Sequence, residues 1–153
     1  MRASNNININ KIVIRQARVN DYEIVKELLV KSKQTTGKVF TRKRFANTLQ
    51  DFGKYNLVAQ KGKTVIGYVF GYDDSGKSGK PKFYGYMGRL VIDPKYRGMG
   101  IGKTLVDICL GKFKKSGYKI IFAGVKKDNL ASKNLFEKHG FRDDDIILLR
   151  FFD

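Results

Sequence analysis

Tyr96-Arg97-Gly98-Met99-Gly100-Ile101-Gly102-Lys103-Thr104 is the stretch on which the reading of this chain turns. Before it, Phe83 to Ile92 is rich in aromatic and β-branched residues and ends at Asp93-Pro94, as a strand does. After it, Lys103 to Ser116 reads as a helix with Leu105, Ile108 and Cys109 on one face, closed by Gly117. A glycine-rich turn from a strand into a helix has a mechanism. Glycines let the backbone come close to a phosphate in conformations a side chain forbids. The unpaired N–H groups of the first helical turn and the helix dipole then hold the anion. Arg97 and Lys103 add positive charge, and a pyrophosphate is the natural guest.

Two other nucleotide motifs come near this spacing and fail. Gly98 to Thr104 reads G-x-x-x-G-K-T, one residue short of a P-loop, whose first glycine would have to stand at Arg97. The dinucleotide fingerprint G-x-G-x-x-G fails because Gly102 follows Gly100 too soon.

Working outward, Lys11 to Ala17 alternates as a half-buried strand, and Asn20 or Asp21 caps a helix with Ile24, Val25, Leu28 and Leu29 at helical spacing. Gln34 to Lys38 breaks that helix. Thr41 caps a second one holding Phe45, Leu49 and Phe52. Asn56 to Gln60, the turn Lys61-Gly62-Lys63 and Val65 to Tyr72 form a hairpin, and Asp73 to Pro81 is loop by composition. Past Gly117, Lys119 to Val125 is a short apolar strand, Asp128 caps a helix ending at His139-Gly140, and Ile146 to Phe152 is a last strand. The order is β-α-α-β-β-β-α-β-α-β without repeat or linker: one mixed α/β domain over 1–153, its first ten residues flexible.

The composition fits a globular chain, at 42% hydrophobic residues, and no apolar run nears the roughly 18 residues that cross a bilayer. The polar start Met1-Arg2-Ala3-Ser4-Asn5-Asn6 lacks the apolar core of a secretion signal. The single Cys109 cannot form an intramolecular disulfide, which suits a reducing compartment, and a cytoplasmic protein is expected. Lys and Arg number 31 against 14 Asp and Glu, a net +17 that favours anionic partners or simply keeps the protein in solution. The cations are spread along the chain and no nucleic-acid motif accompanies them, so nucleic acid is not expected as a partner, nor is a membrane.

The glycine turn resembles the signature of the GNAT family, the Gcn5-related N-acetyltransferases: Gln/Arg-x-x-Gly-x-Gly/Ala after a strand, matched by Arg97, Gly100 and Gly102. The approach Leu90-Val91-Ile92-Asp93-Pro94-Lys95-Tyr96 is similar to the family's, and Asn129 to Phe141 resembles its second conserved helix, Asn…Leu-Tyr-Glu-Lys-x-Gly-Phe. Ile14-Arg15-Gln16-Ala17 followed by Asp21 is similar to the family's opening. The resemblance implies a mixed sheet of about six to seven strands with splayed central strands and about four helices. It implies acetyl-CoA as co-substrate, no metal, and transfer of the acetyl group to a primary amine of a small molecule, protein or peptide by direct attack in a ternary complex. By position, Leu90, Val91 and Ile92 are implied to pair with the pantetheine amides. Arg97, Gly98, Met99, Gly100, Ile101, Gly102, Lys103 and Thr104 are implied to hold the pyrophosphate, and Asn129 and Phe136 to meet the cofactor from the other side. Asn129 reads alternatively as a helix cap, a role already given to Asp128. A monomer or homodimer is expected.

The resemblance weakens where chemistry is needed. Phe136 stands where the family has its acidic tyrosine, Phe83 to Ile92 has no carboxylate, and Gly124 stands where some relatives carry a glutamate. The catalytic residues are therefore unknown from sequence. Tyr84 and Tyr86 share a face of the strand and are the candidates for moving protons, packing being the alternative. His139 fits a helix cap, Cys109 a core residue, and Asp73 and Asp74 a solvated loop. With neither acid nor base in place, the alternative function is a catalytically silent CoA-binding module that senses or partners. The segment from Lys33 to Arg44, in the region that shapes the acceptor site in the family, is cationic at Lys38, Arg42, Lys43 and Arg44. That charge disfavours polyamines and favours acidic peptides or anionic amines.

Overall fold

The computed structural model describes residues 11–35, 38–73, 84–126, 128–144 and 147–151. The first ten residues, Asp74 to Phe83, Ile146 and Phe152, all drawn into the expectations above, lie outside them. Strands β1 (Ile12–Gln16), β2 (Leu57–Lys61), β3 (Thr64–Asp73), β4 (Tyr84–Ile92), β5 (Ile120–Ala123), β6 (Arg142–Asp144) and β7 (Ile147–Phe151) form one sheet in the order β1-β2-β3-β4-β5-β7-β6. Neighbours are antiparallel except β4 and β5, which run parallel. The α-helices are α1 (Tyr22–Lys31), α2 (Arg42–Phe52), α3 (Ile101–Lys115) and α4 (Leu130–Lys138).

Strand alternation divides the core between the two faces of the sheet. Val58, Val65, Tyr68 and Val91 face α1 and α2 and meet Val25, Leu29 and Phe45. Leu57, Ala59, Val69 and Met87 face the other way, against Leu105, Val106, Cys109 and Phe113 of α3. Each large aliphatic side chain buried in this way contributes about 1.5–3 kcal/mol. The Thr41 side chain accepts from the Arg44 amide, so α2 begins where expected.

Three expectations need correction. The carboxylate of Asp21 does not cap α1; it takes a two-pronged ion pair from Arg15 (2.8 and 2.9 Å) and the Arg18 amide (2.7 Å), closing β1 onto the first helix. Burial alone would raise Asp21, but these donors hold it below the usual carboxylate range. Asp73 is not a solvated loop residue: it is the buried last residue of β3, paired with Gly85. The last part of the chain holds two strands, because Arg142–Asp144 pairs by backbone with β7, a pairing its charged side chains do not advertise.

Candidate active site

β4 and β5 pair only over Tyr84–Met87 and Ile120–Ala123. The Gly124 amide donates to Met87 O at 2.9 Å, and past that point β5 stops while β4 runs on to Ile92. On its other side β4 stays paired with β3, Val91 opposite Tyr68 and Ile92 opposite Gly67. The sheet therefore opens in a V whose one wall is a free strand edge. The opening has a local cause: the β3–β4 register shifts between Tyr68 and Phe70, and Arg89 sits at φ 49°. An extra residue in a strand bends it and sharpens its twist, swinging Leu90–Ile92 away from β5.

The glycine turn lies at the far end of that edge. The Asp93 side chain accepts from the Lys95 amide at 3.0 Å, and a short 3-10 turn, Pro94–Tyr96, carries the chain round. Gly98 (φ 79°) and Gly100 (φ 80°) adopt the left-handed conformation that other residues avoid. A Cβ at either would meet nothing within 4 Å, so the space above the turn is open. The first backbone bond of α3 is Thr104 N to Gly100 O at 3.1 Å. That leaves the N–H groups of Ile101, Gly102 and Lys103 without an intrahelical acceptor, at the positive end of a 15-residue helix.

A cavity of about 350 Å³ joins these parts. Of the residues drawn from the sequence, Leu90, Val91, Ile92, Arg97, Gly98, Gly100, Ile101, Gly102, Lys103 and Asn129 line it. Met99 and Thr104 do not: Met99 points to solvent at 52% exposure, and the Thr104 hydroxyl donates to Gly100 O at 3.0 Å. The Lys103 ammonium is tethered to Asp107 at 2.9 Å, an exposed pair on the helix surface. Lys138 of α4 is a further cation on the lining.

A second cavity, of about 290 Å³, continues the first at the apex of the V, sharing Gln34, Leu90, Asn129 and Ser132 with it. Tyr86, Arg89, Gly124, Val125, Lys126 and Phe136 complete its lining. The two tyrosine candidates part company here. Tyr84 packs edge-on against Phe122 (5.1 Å) and lines neither cavity. Tyr86 reaches the apex, where its hydroxyl occupies the place a Cβ on Gly124 would take. A side chain at residue 124 and the Tyr86 hydroxyl exclude each other. Burial raises the Tyr86 pKa, with the charge on Arg89 pulling the other way. At neutral pH the Tyr86 hydroxyl therefore carries its proton.

Asn129, not Asp128, caps α4: its side-chain oxygen accepts from the Ser132 amide at 3.2 Å, while Asp128 is exposed. The cap uses only that oxygen, which leaves the amide N–H groups to the cavities Asn129 lines. His139 ends α4, its ring 2.8 Å from both Leu135 O and Asp107 Oδ1, and lines neither cavity. Burial opposes the charge on Asp107, but Lys103 and His139 hold its carboxyl below the usual range. Cys109 is fully buried, and burial pushes its thiol up, away from the thiolate a nucleophile needs.

Among the lining residues that were not singled out in the sequence, two stand out. Gln34, just past α1, donates its amide Nε2 to Leu90 O at 2.8 Å, occupying an acceptor on the free edge. Nothing local marks it, since its partner is 56 residues away. Arg89 is a cation inside an otherwise apolar strand, and that anomaly is its one sequence signal.

A free strand edge leads from an open turn rich in N–H groups to the cavity at the apex of the V, an arrangement suited to a long ligand with an anionic end. Residues 22–141 match the model of the acetyltransferase (GNAT) family, and the chain belongs to that family. It is 39% identical over 57 residues to N-alpha-acetyltransferase 30 of Saccharomyces cerevisiae, covering 37% of this chain and 32% of that protein. It is 39% identical over 70 residues to glucosamine 6-phosphate N-acetyltransferase of Trypanosoma brucei brucei, covering 41% of this chain and 45% of that one. The chain thus spans less than half the length of the curated relatives it matches. Its fold is that of Arabidopsis thaliana Naa50 in complex with the bisubstrate analogue CoA-Ac-MVNAL (TM-score 0.77, 18% identity, 92% of this chain and 99% of that one).

Proposed function

We propose that this chain is an acetyl-CoA-dependent N-acetyltransferase acting on a primary amine by direct attack in a ternary complex. The observation that carries the proposal is the continuity of the free β4 edge with the open glycine turn at one end and the Tyr86 apex at the other. The pyrophosphate of the cofactor lies over Gly98–Gly102, on the unpaired N–H groups of the first turn of α3. The pantetheine arm adds to Leu90–Ile92 as an extra strand. Gln34 already holds Leu90 O with an amide N–H, the kind of bond the pantetheine amides supply, and yields it when the cofactor arrives.

The thioester then sits at the apex. The amine nitrogen attacks the carbonyl carbon, the new C–N bond forms, and the C–S bond breaks. The carbonyl oxygen is polarised by backbone N–H groups of the strand edge. Tyr86 protonates the departing thiolate and regains a proton, through water, from the nitrogen that has become the amide. Among the described residues lining the two cavities none is a carboxylate, and in this reading water takes the ammonium proton. The cations of Arg89 and Lys126 assist, because like charges lower the pKa of an incoming ammonium and favour the neutral, nucleophilic amine.

The second reading, a silent CoA-binding module, is favoured by one observation: Phe136, at the position of the family's tyrosine acid, is buried and carries no hydroxyl. Among the described residues no helix is long and apolar enough to cross a membrane. The buried lone thiol of Cys109 supports a reducing, cytoplasmic setting.

The test has two steps. Acetyl-CoA at saturating concentration raises the melting temperature, since a ligand bound only by the folded state stabilises it. An amine panel followed by thiol release from acetyl-CoA then shows turnover. No thermal shift overturns the reading; a shift without turnover on any amine selects the silent module.

A further inference from the structure

A third cavity, of about 160 Å³, lies beside the apex on the face of the sheet covered by α1 and α2. Val39, Phe40, Phe45, Thr48, Tyr68 and Phe70 supply its walls, and Arg44 and Arg89 its charges. Arg89 lines this cavity and the apex cavity both, so one side chain connects the place where acetyl transfer would occur with a pocket that shares no residue with the cavity along the glycine turn.

The state of that guanidinium is unusual. Its carbon lies 5.7 Å from the centre of the Phe40 ring and 5.2 Å from that of Phe70. Contacts with ring faces hold a guanidinium without using its five N–H donors. Among the described residues no carboxylate pairs with Arg89 and no acceptor takes a hydrogen bond from it. The aromatic frame is itself fixed: Phe40 is buried, stacks on Tyr22 at 5.5 Å, and its carbonyl accepts from the Tyr22 hydroxyl at 2.7 Å. Arg44 spends one N–H on Val39 O at 3.3 Å and likewise has no carboxylate partner among the described residues. Two guanidinium groups thus converge on an aromatic pocket with donors to spare. An Arg held by ring faces at the bulge that opens the sheet is placed, not drifting in solvent.

We infer that this cavity binds the anionic group of the acceptor, so that the preferred substrates are primary amines bearing a carboxylate or phosphate. The inference rests on the transferase reading above for its word acceptor, but the anion site itself stands on the two guanidinium groups. An oxyanion in the cavity takes charge-assisted hydrogen bonds from Arg89 and Arg44, and its amine extends past Arg89 into the apex. The same cations repel a polyamine, which has no oxyanion to offset them. The carboxylate of an acidic peptide and the phosphate of a small amine share this chemistry, and paired probes tell them apart.

The experiment uses matched acceptors with and without the anion: phosphoethanolamine against ethanolamine, and a peptide beginning Ser-Glu against one beginning Ser-Gln. Each is titrated calorimetrically into the CoA-saturated protein, and kcat/KM is measured with acetyl-CoA. We expect the anionic member of at least one pair to bind and react about 10- to 100-fold better, the range of one or two charge-assisted bonds. Arg89→Gln and Arg44→Gln each remove most of that preference. Arg44 is exposed on α2, so its variant keeps the native melting temperature even if replacement of Arg89 disturbs the Phe40 and Phe70 rings it lies over. Equal binding and turnover within both pairs overturns the inference and leaves the transferase reading intact. A preference that survives Arg44→Gln and Arg89→Gln also overturns it. Binding preference without turnover of these probes supports the anion site, and the amine panel then decides the transferase reading.

Discussion

The two ends of the cleft are built on different principles. At the glycine turn the groups offered to a ligand are backbone N–H groups, and the side chains matter chiefly by their absence at Gly98 and Gly100. At the apex the groups are side chains, Tyr86, Arg89 and Phe136, brought together from two strand positions and a helix. Backbone recognition is written in adjacent residues. Catalytic chemistry needs residues that meet only after folding, and it is there that this chain departs from its family's usual set.

The largest effect is expected at the backbone end. Gly100→Val places a branched side chain at φ 80°, a strain of about 1–3 kcal/mol, and projects it into the space over the turn. CoA affinity should fall by at least about 100-fold, which is some 2.7 kcal/mol. Calorimetry on a variant of unchanged circular dichroism measures it. Native affinity in that variant would mean that the anion is held elsewhere, and the comparison would lose its first half.

At the apex, Tyr86→Phe should lower kcat by about 100-fold while leaving the KM for acetyl-CoA in place, as loss of a general acid does. The pH profile checks the same group with a definite sign. Burial raises its pKa, so the donor form persists through and beyond the ordinary tyrosine range near 10. No loss of kcat assignable to Tyr86 should therefore appear at or below that pH. An unaltered kcat in Tyr86→Phe would assign the proton to water and leave the apex with no acid at all.

The same contrast explains what the sequence made legible. The turn, the helix it starts, the Thr41 cap and six of the seven strands follow from residues close together in the chain, whose apolar spacing matches their structure. Asn129 and Asp128 are adjacent and equally good caps by type, so only the observed geometry separates them. Arg142–Asp144 forms a strand because β7 lies beside it, against the polarity of its own side chains. Gln34 comes to the cleft, and Phe40 to the cavity beside it, through a segment whose sequence shows a helix break and a cationic charge but neither contact. Tyr84 and Tyr86 look alike in sequence, yet the end of β5 at Ala123 leaves only Tyr86 facing the opening.

The smallest effect concerns Phe136, and it sharpens the comparison most. Its ring is 1% exposed, lines the apex and packs edge-on against Phe141 at 5.1 Å. Phe136→Tyr would restore the family's hydroxyl beside one already supplied by Tyr86. If Tyr86 is the acid, a second donor is redundant, and kcat should change by no more than a few-fold against the roughly 10²–10⁴-fold of a needed one. An added hydroxyl that finds no partner lowers stability by about 1–3 kcal/mol, visible as a lower melting temperature. The decisive background is Tyr86→Phe, in which Phe136→Tyr becomes the only phenol at the apex and should recover part of the lost rate. Recovery there with little gain in the native protein means that the acid has moved from helix to strand within one cleft. A large gain in the native protein means that Tyr86 does not serve as the acid and that the native protein works without one. No recovery in the double variant, with its fold intact, means that the position of the family's tyrosine has been given over to packing against Phe141.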